Sequence, residues 1–273
     1  MNKGTVTLII LGLGLLAGIL IWIKQRRASK VRERLLRTPL SDFDREGLIE
    51  NFPLYALLPE GLRDRLDGLI QLFLDDKDFE ACGGLKSVSP EMRLTIAAQA
   101  CLLLAGHELP KGMPYPKLRS VLVYPDAYRA SEDGKSDSVR LGESWDRGTI
   151  VLAWASVQRG GQIGNDGHNV TMHEFAHQLD SEDRVTDGAP PLENARAYQA
   201  WSAAFSGAWE RFVKRVDKGQ PTVIDEYGAT NHAEFFAVCV ETFFEKPLQL
   251  KRRYPKVYEE MRHYFQLDPL DWI

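Results

Sequence analysis

Two histidines four residues apart, with a glutamate directly after the first, are the residues of this chain best placed to do chemistry: His173, Glu174 and His177 in the stretch VTMHEFAHQLDSED. On a helix, positions i and i+4 share a face one turn apart, so both imidazoles project toward one point. Two neutral imidazoles at this spacing bind one Zn2+ at about 2.0–2.1 Å, and the glutamate one position on points toward a water in an open coordination site. Glu174 is then the general base of a hydrolase. The bland alternative is a surface helix with incidental histidines. The apolar helical pattern, free of glycine and proline and preceded by strand-like segments, favours the metal.

A catalytic zinc site uses three protein ligands and keeps a fourth position open. Downstream, EYGATNHAEFFAVCVETFFEKP places Glu234 and Glu241 seven residues apart, two turns on one face of an apolar helix. A carboxylate there is costly unless it is paired or metal-bound. Glu234 is therefore the expected third ligand. Glu241 either orients an imidazole N–H or is a buried acid paired with an arginine. His232, two residues before Glu234, faces elsewhere on such a helix. Asp180, three residues beyond His177, either supports a ligand or caps structure.

HEFAH, the following DGAPPL, YGATNHAEFFAV, and the upstream FEACGGL and EMRLTIAAQACLLLAG resemble the Mlc titration factor A family of zinc peptidases. The pairing of HEFAH with YGATNHAEFF is also similar to the catalytic domain of anthrax lethal factor. The resemblance runs from about Tyr55 to the end of the chain. It implies a zincin-like domain with one Zn2+ per chain, held by His173, His177 and Glu234, with Glu174 as the catalytic glutamate. It further implies that Tyr227 assists at the substrate carbonyl, where its hydroxyl would donate to a developing oxyanion; a plain core tyrosine is the alternative. An aminopeptidase-like activity on peptide or protein substrates is implied, as is a transcriptional repressor as a possible partner. A contrasting function is a regulatory module that sequesters such a partner, its zinc being structural.

The elements that must position these residues read as α+β: a mainly helical metallopeptidase domain with a small sheet. Leu62, Leu66, Leu69, Ile70 and Phe73 mark an amphipathic helix after Pro59. Ser89 and Pro90 form an N-cap and first helical position for the helix that Gly106 ends. SVLVYP, DSVRL and TIVLAWASV are predicted strands, the last a candidate edge strand onto which an extended peptide could add. QRGGQIGNDGHN reads as a glycine-rich connection into the histidine helix. Tyr198, Trp201, Phe205, Trp209, Phe212 and Val216 give a long packing helix closed by Gly219.

The chain has 273 residues, 44% hydrophobic and 26% charged, enough for one folded domain with an ordinary core. A net charge of −4 leaves no basic surplus for phosphate, so nucleic acid is not an expected ligand. Cys82, Cys101 and Cys239 are isolated in apolar segments and read as free thiols of a reducing compartment. Residues 5–23 run uncharged for 19 residues, close to the roughly 20 of a membrane-spanning helix. Lys3 precedes the run, whereas Lys24, Arg26, Arg27, Lys30, Arg32, Arg34 and Arg37 follow it. The positive-inside rule then predicts a single-pass anchor in the inner membrane with a cytoplasmic catalytic domain. The expected organisation is an N-terminal transmembrane anchor over 1–27, a basic linker over 28–43 and the peptidase domain over 44–273.

Overall fold

The computed structural model describes the backbone of residues 3–107, 113–126, 128–129, 139–140, 142–145 and 148–273, and the side chains of 14–16, 18–107, 113–126 and 148–273. In chain order the helices are α1 (Lys3–Leu36), α2 (Asp42–Asn51), α3 (Leu54–Leu57), α4 (Glu60–Asp76) and α5 (Pro90–Leu102). Then come α6 (Trp154–Gln162), α7 (Val170–Asp180), α8 (Ala195–Val216), α9 (His232–Glu245), α10 (Pro247–Arg253) and α11 (Pro255–Phe265). The strands are β1 (Asp78–Ala81), β2 (Ser120–Tyr124), β3 (Tyr128–Arg129), β4 (Val139–Arg140), β5 (Gly142–Trp145) and β6 (Thr149–Ala153).

Strands β1, β2 and β6 form a parallel sheet, with Asp78 opposite Ser120 and Val121 opposite Ile150. β5 adds antiparallel on the far side of β6, Glu143 opposite Val151. The expectation of β6 as an edge strand is therefore wrong: it lies between β2 and β5, and β5 is the edge next to it. Burial agrees, since Ile150 to Ala153 are consecutively buried, as a strand covered on both faces requires. The apolar run also ends as strand sooner than expected. After Ala153 it continues as α6, which absorbs the first residues of the glycine-rich connection.

α5 and α9 are the central helices. Leu94 to Leu102 and Phe235 to Glu245 are buried without interruption, the mark of helices enclosed on all sides. Ser89 caps α5, its side chain accepting from the Met92 N–H, with Pro90 at the first position. α7 lies against both α5 and α9. Phe175 on its inner face packs edge-on against Phe73 and Tyr115. The opposite face of α7 is thereby turned toward α9 and the site.

Among the described residues no helix is long and apolar enough to cross a membrane. The structure thus lends the expected anchor no support; residues 5–13 and 17 of its apolar run lie outside those whose side chains are described. The tract expected as a basic linker is helical as far as Leu36, the last residue of α1. Of the strand expected in DSVRL, Val139 and Arg140 are described and pair with β3.

Candidate metal centre

Asn169 sets the start of α7. Its side chain accepts the Met172 N–H at 3.0 Å and donates to the Gly160 carbonyl at 3.1 Å. A glycine eases that approach, because a Cβ at Gly160 would lie 3.0 Å from the Asn169 Cα, a tight contact. From this fixed start, His173 and His177 emerge one turn apart, their ring centroids 4.9 Å apart. Asn231 caps α9 in the same way, accepting from the Glu234 N–H at 2.9 Å, and this aims Glu234 at the histidines. Glu234 Oε2 lies 3.0 Å from His173 Nε2 and 3.3 Å from His177 Nε2. One ligand atom from each of His173, His177 and Glu234 falls within 4.8 Å of the other two.

The other nitrogen of His173 is also held. Its Nδ1 is 2.8 Å from Glu241 Oε1, and Glu241 Oε2 accepts the backbone N–H of Asn169. Of the two sequence alternatives for Glu241, imidazole orientation is what the structure displays. With Nδ1 held by Glu241, Nε2 is turned toward Glu234 and the space between the helices. Asp180 is a structural acid. Both its oxygens accept the Gly188 N–H, at 2.9 and 3.1 Å, and Trp201 Nε1 donates to the Gly188 carbonyl at 2.9 Å. This pins the 185–191 loop against the first turn of α9, where a Cβ on Gly188 would sit 2.4 Å from the His232 carbonyl oxygen. His232 faces away from the trio and stacks on Trp209, centroids 4.1 Å apart.

Burial disfavours charge on His173, yet hydrogen bonds to Glu234 and Glu241 outweigh it and lift the imidazole to about 10. Burial also works against Glu234, whose contacts with His173 and His177 hold it down at about 2. His173 and Glu234 thus pair as opposite charges. Two imidazoles and a carboxylate that leave one position open are also the donor set of catalytic zinc, so the residues fit a divalent cation. Glu174 is 5% exposed. Burial lifts its carboxyl to about 7, against the pull of His173 and His177. Tyr227, on a 3-10 turn over Glu226–Ala229, is 55% exposed with its ring 6.0 Å from that of His173. The core-tyrosine alternative fails for it. Its hydroxyl is pushed up, chiefly by partial burial and then by the nearby charges of Glu234 and Glu174.

All five expected site residues thus converge on one face formed by α7, α9 and the turn before α9. The residues that the sequence did not flag are Asn169, Gly160 and Gly188. Their signal was weak: an asparagine before a helical run is a common cap, and the contacts that make these three matter come from distant parts of the chain.

A mainly helical α+β domain with an HExxH helix and a facing glutamate defines a metallopeptidase-like protein. The chain belongs to the glucose-regulated metallo-peptidase M90 family, whose model matches residues 22–266. It is similar to an uncharacterized protein of Synechocystis sp., 42% identical over 247 residues, covering 87% of this chain and 88% of that one. It is also similar to the Mlc titration factor A proteins of Yersinia pestis and Yersinia pseudotuberculosis, 32% identical over 232 residues, 81% of this chain and 83% of each relative. Membership implies a metal, typically zinc, and the His173, His177 and Glu234 cluster is where this chain could hold it.

Proposed function

We propose that this protein is a zinc-dependent, aminopeptidase-like peptidase. The observation that carries this is the convergence of His173 Nε2, His177 Nε2 and Glu234 Oε2 from two helices, with a buried Glu174 beside them. Zinc held by that trio would supply a Lewis acid and make water a nucleophile near neutral pH. Glu174, adjacent to the ligands in sequence but outside the trio, takes the proton from the attacking water as general base and returns it to the leaving amine as general acid. Glu241 keeps His173 in the tautomer that offers Nε2. Tyr227, exposed at the mouth, donates a hydrogen bond to the carbonyl oxygen as it gains charge. The backbone of β5, at the edge of the sheet and in contact with α7, supports strand addition by an extended peptide.

The test is Glu174→Gln on the purified protein, with zinc content and turnover of a panel of peptide and aminoacyl substrates as readouts. Zinc should stay near one per chain while hydrolysis falls by at least roughly 10²-fold, the lower end of a general base's contribution. Unchanged turnover would assign the hydrolysis to another site.

A second reading draws on the relatives named Mlc titration factor A: this chain would bind a regulatory protein partner such as a transcriptional repressor. Glu174→Gln also separates the two, since partner capture should survive it. For placement in the cell, the uncharged run at 5–23 and the basic tract after it support an anchor in the inner membrane with the domain in the cytoplasm. A carboxyl-terminal reporter active only in the cytoplasm is the expected result; cleavage of that terminus by protease added outside intact cells would reverse the placement.

A further inference from the structure

Between the apolar run and the domain the helix does not break. α1 continues through the basic tract to Leu36, and its last turns are braced by Arg37–Glu33 at 2.9 Å and by the Thr38 hydroxyl donating to the Arg34 carbonyl at 2.8 Å. The helix then meets α4 in a fit that leaves no play. A Cβ on Gly68 would lie 2.3 Å from the Leu36 carbonyl oxygen, so the two backbones touch. The next residues are tied to the same place. Asp67, fully buried, accepts from the Leu40 N–H at 3.0 Å, the Arg45 guanidinium at 2.6 Å and the Tyr55 hydroxyl at 2.6 Å.

Among the described residues, the apolar part of the helix is exposed. Leu15, Leu16, Ile19, Leu20, Ile21 and Trp22 are 46–69% exposed. Directly after them the charge turns positive: Lys24, Arg26, Arg27, Lys30, Arg32 and Arg34 stand against the single acid Glu33. Arg26 lies over the Trp22 ring, 5.0 Å from its centroid. Exposed aliphatic residues, an aromatic boundary and a cationic collar are the sequence of surfaces that an acyl region, an interface and anionic headgroups accept.

We propose that α1 is a stiff stalk that seats this protein on an anionic bilayer surface in one fixed orientation. Leu15–Trp22 enter the acyl region, Lys24–Arg34 lie among the headgroups, and the Leu36–Gly68 contact sets the angle of the domain. From Trp22 to Leu36 the helix spans roughly 20 Å at 1.5 Å per residue, which holds the domain just above the headgroups. Its substrates or partners would then be chains presented at that surface. This rests on the anchor reading above and is independent of the peptidase reading.

The experiment uses the full chain with vesicles of neutral phosphatidylcholine or of phosphatidylcholine mixed with anionic phosphatidylglycerol. Binding should be at least roughly tenfold tighter to the anionic vesicles at low salt, since basic residues beside the apolar segment are drawn to anionic headgroups. The combined variant K24Q/R26Q/R27Q/K30Q should lose that preference while still binding. Energy transfer from a dye on Lys218→Cys, in a chain that also carries Cys82→Ser to remove the partly exposed native thiol, to a lipid dye should report one narrow distance, and two glycines inserted after Ser29 should broaden it without releasing the protein. No binding to either vesicle would sink the anchor reading and the proposal together. Equal affinity for both vesicles, or equally broad distances with and without the insertion, would leave the anchor standing and overturn the seated stalk.

Discussion

Glu241 ties His173 to the cap of its own helix: one carboxylate oxygen takes the His173 Nδ1–H at 2.8 Å and the other takes the Asn169 backbone N–H. A single buried acid on α9 thereby fixes the tautomer of a candidate ligand and the position of the helix that carries it. Glu241→Gln keeps one carbonyl acceptor and removes the charge. Zinc affinity should fall by about 10–100-fold, the usual cost of losing a partner behind a metal-bound imidazole, with little change in helical content. Competition against a chelator of known affinity measures it, and affinity equal to wild type would strip Glu241 of this role.

Asp180 is expected to act on stability and on the placement of Glu234, not on chemistry. Asp180→Ala leaves the buried Gly188 N–H without its acceptor, a loss of about 1–3 kcal/mol. Gly188→Ala should cost as much or more, because φ is +83° and the new Cβ meets the His232 carbonyl. Denaturant unfolding gives both values. Wild-type stability in either variant would mean that the 185–191 loop does not brace α9.

The chemistry was more legible in the sequence than the frame around it. His173, Glu174 and His177 declare themselves because helix geometry alone fixes their relation, and Glu234 because a carboxylate in an apolar helix needs a reason. Tyr227 needed a family resemblance, since nothing local distinguishes it from a packing tyrosine. β6 was misread as an edge because its outer partner, β5, is GESW, a tetrad poor in β-branched residues. The change from strand to helix at Trp154 was hidden inside one apolar run, which periodicity cannot divide. Asn169, Gly160 and Gly188 draw their importance from contacts with distant segments, and no short-range pattern carries that information.

Tyr227→Phe should lower turnover by less than Glu174→Gln does. It removes one hydrogen bond to the developing oxyanion, whereas the glutamine removes the proton acceptor itself. Since Tyr227 is 55% exposed and the zinc-type donor set is complete with His173, His177 and Glu234, zinc content and unfolding midpoint should match wild type. Steady-state kinetics on the same substrates measure the two losses. A loss from the phenylalanine equal to that from the glutamine would make Tyr227 a proton-transfer group and revise the assignment.

Glu245 gives the protein a pH dependence that can be read without any substrate. It is 4% exposed on α9; one oxygen accepts the Gly167 N–H at 2.8 Å, and the Asn169 side chain adds a weaker contact. Burial, reinforced by the nearby charge of Glu241, lifts its carboxyl from 4.5 to about 8. Between those two values the folded chain keeps a proton that the unfolded chain releases, so stability falls as pH rises through this window and levels off above about 8. Each pH unit inside the window is worth about 1.4 kcal/mol for a single group. Glu245→Gln, which stays neutral and can still accept from Gly167, should flatten that contribution. Its unfolding free energy should therefore equal or fall slightly below wild type at pH 5 and exceed it at pH 9, as read from urea titrations at both values. A constant difference between the two proteins across that range would show that Glu245 is ionised in the folded state and that burial does not hold its proton.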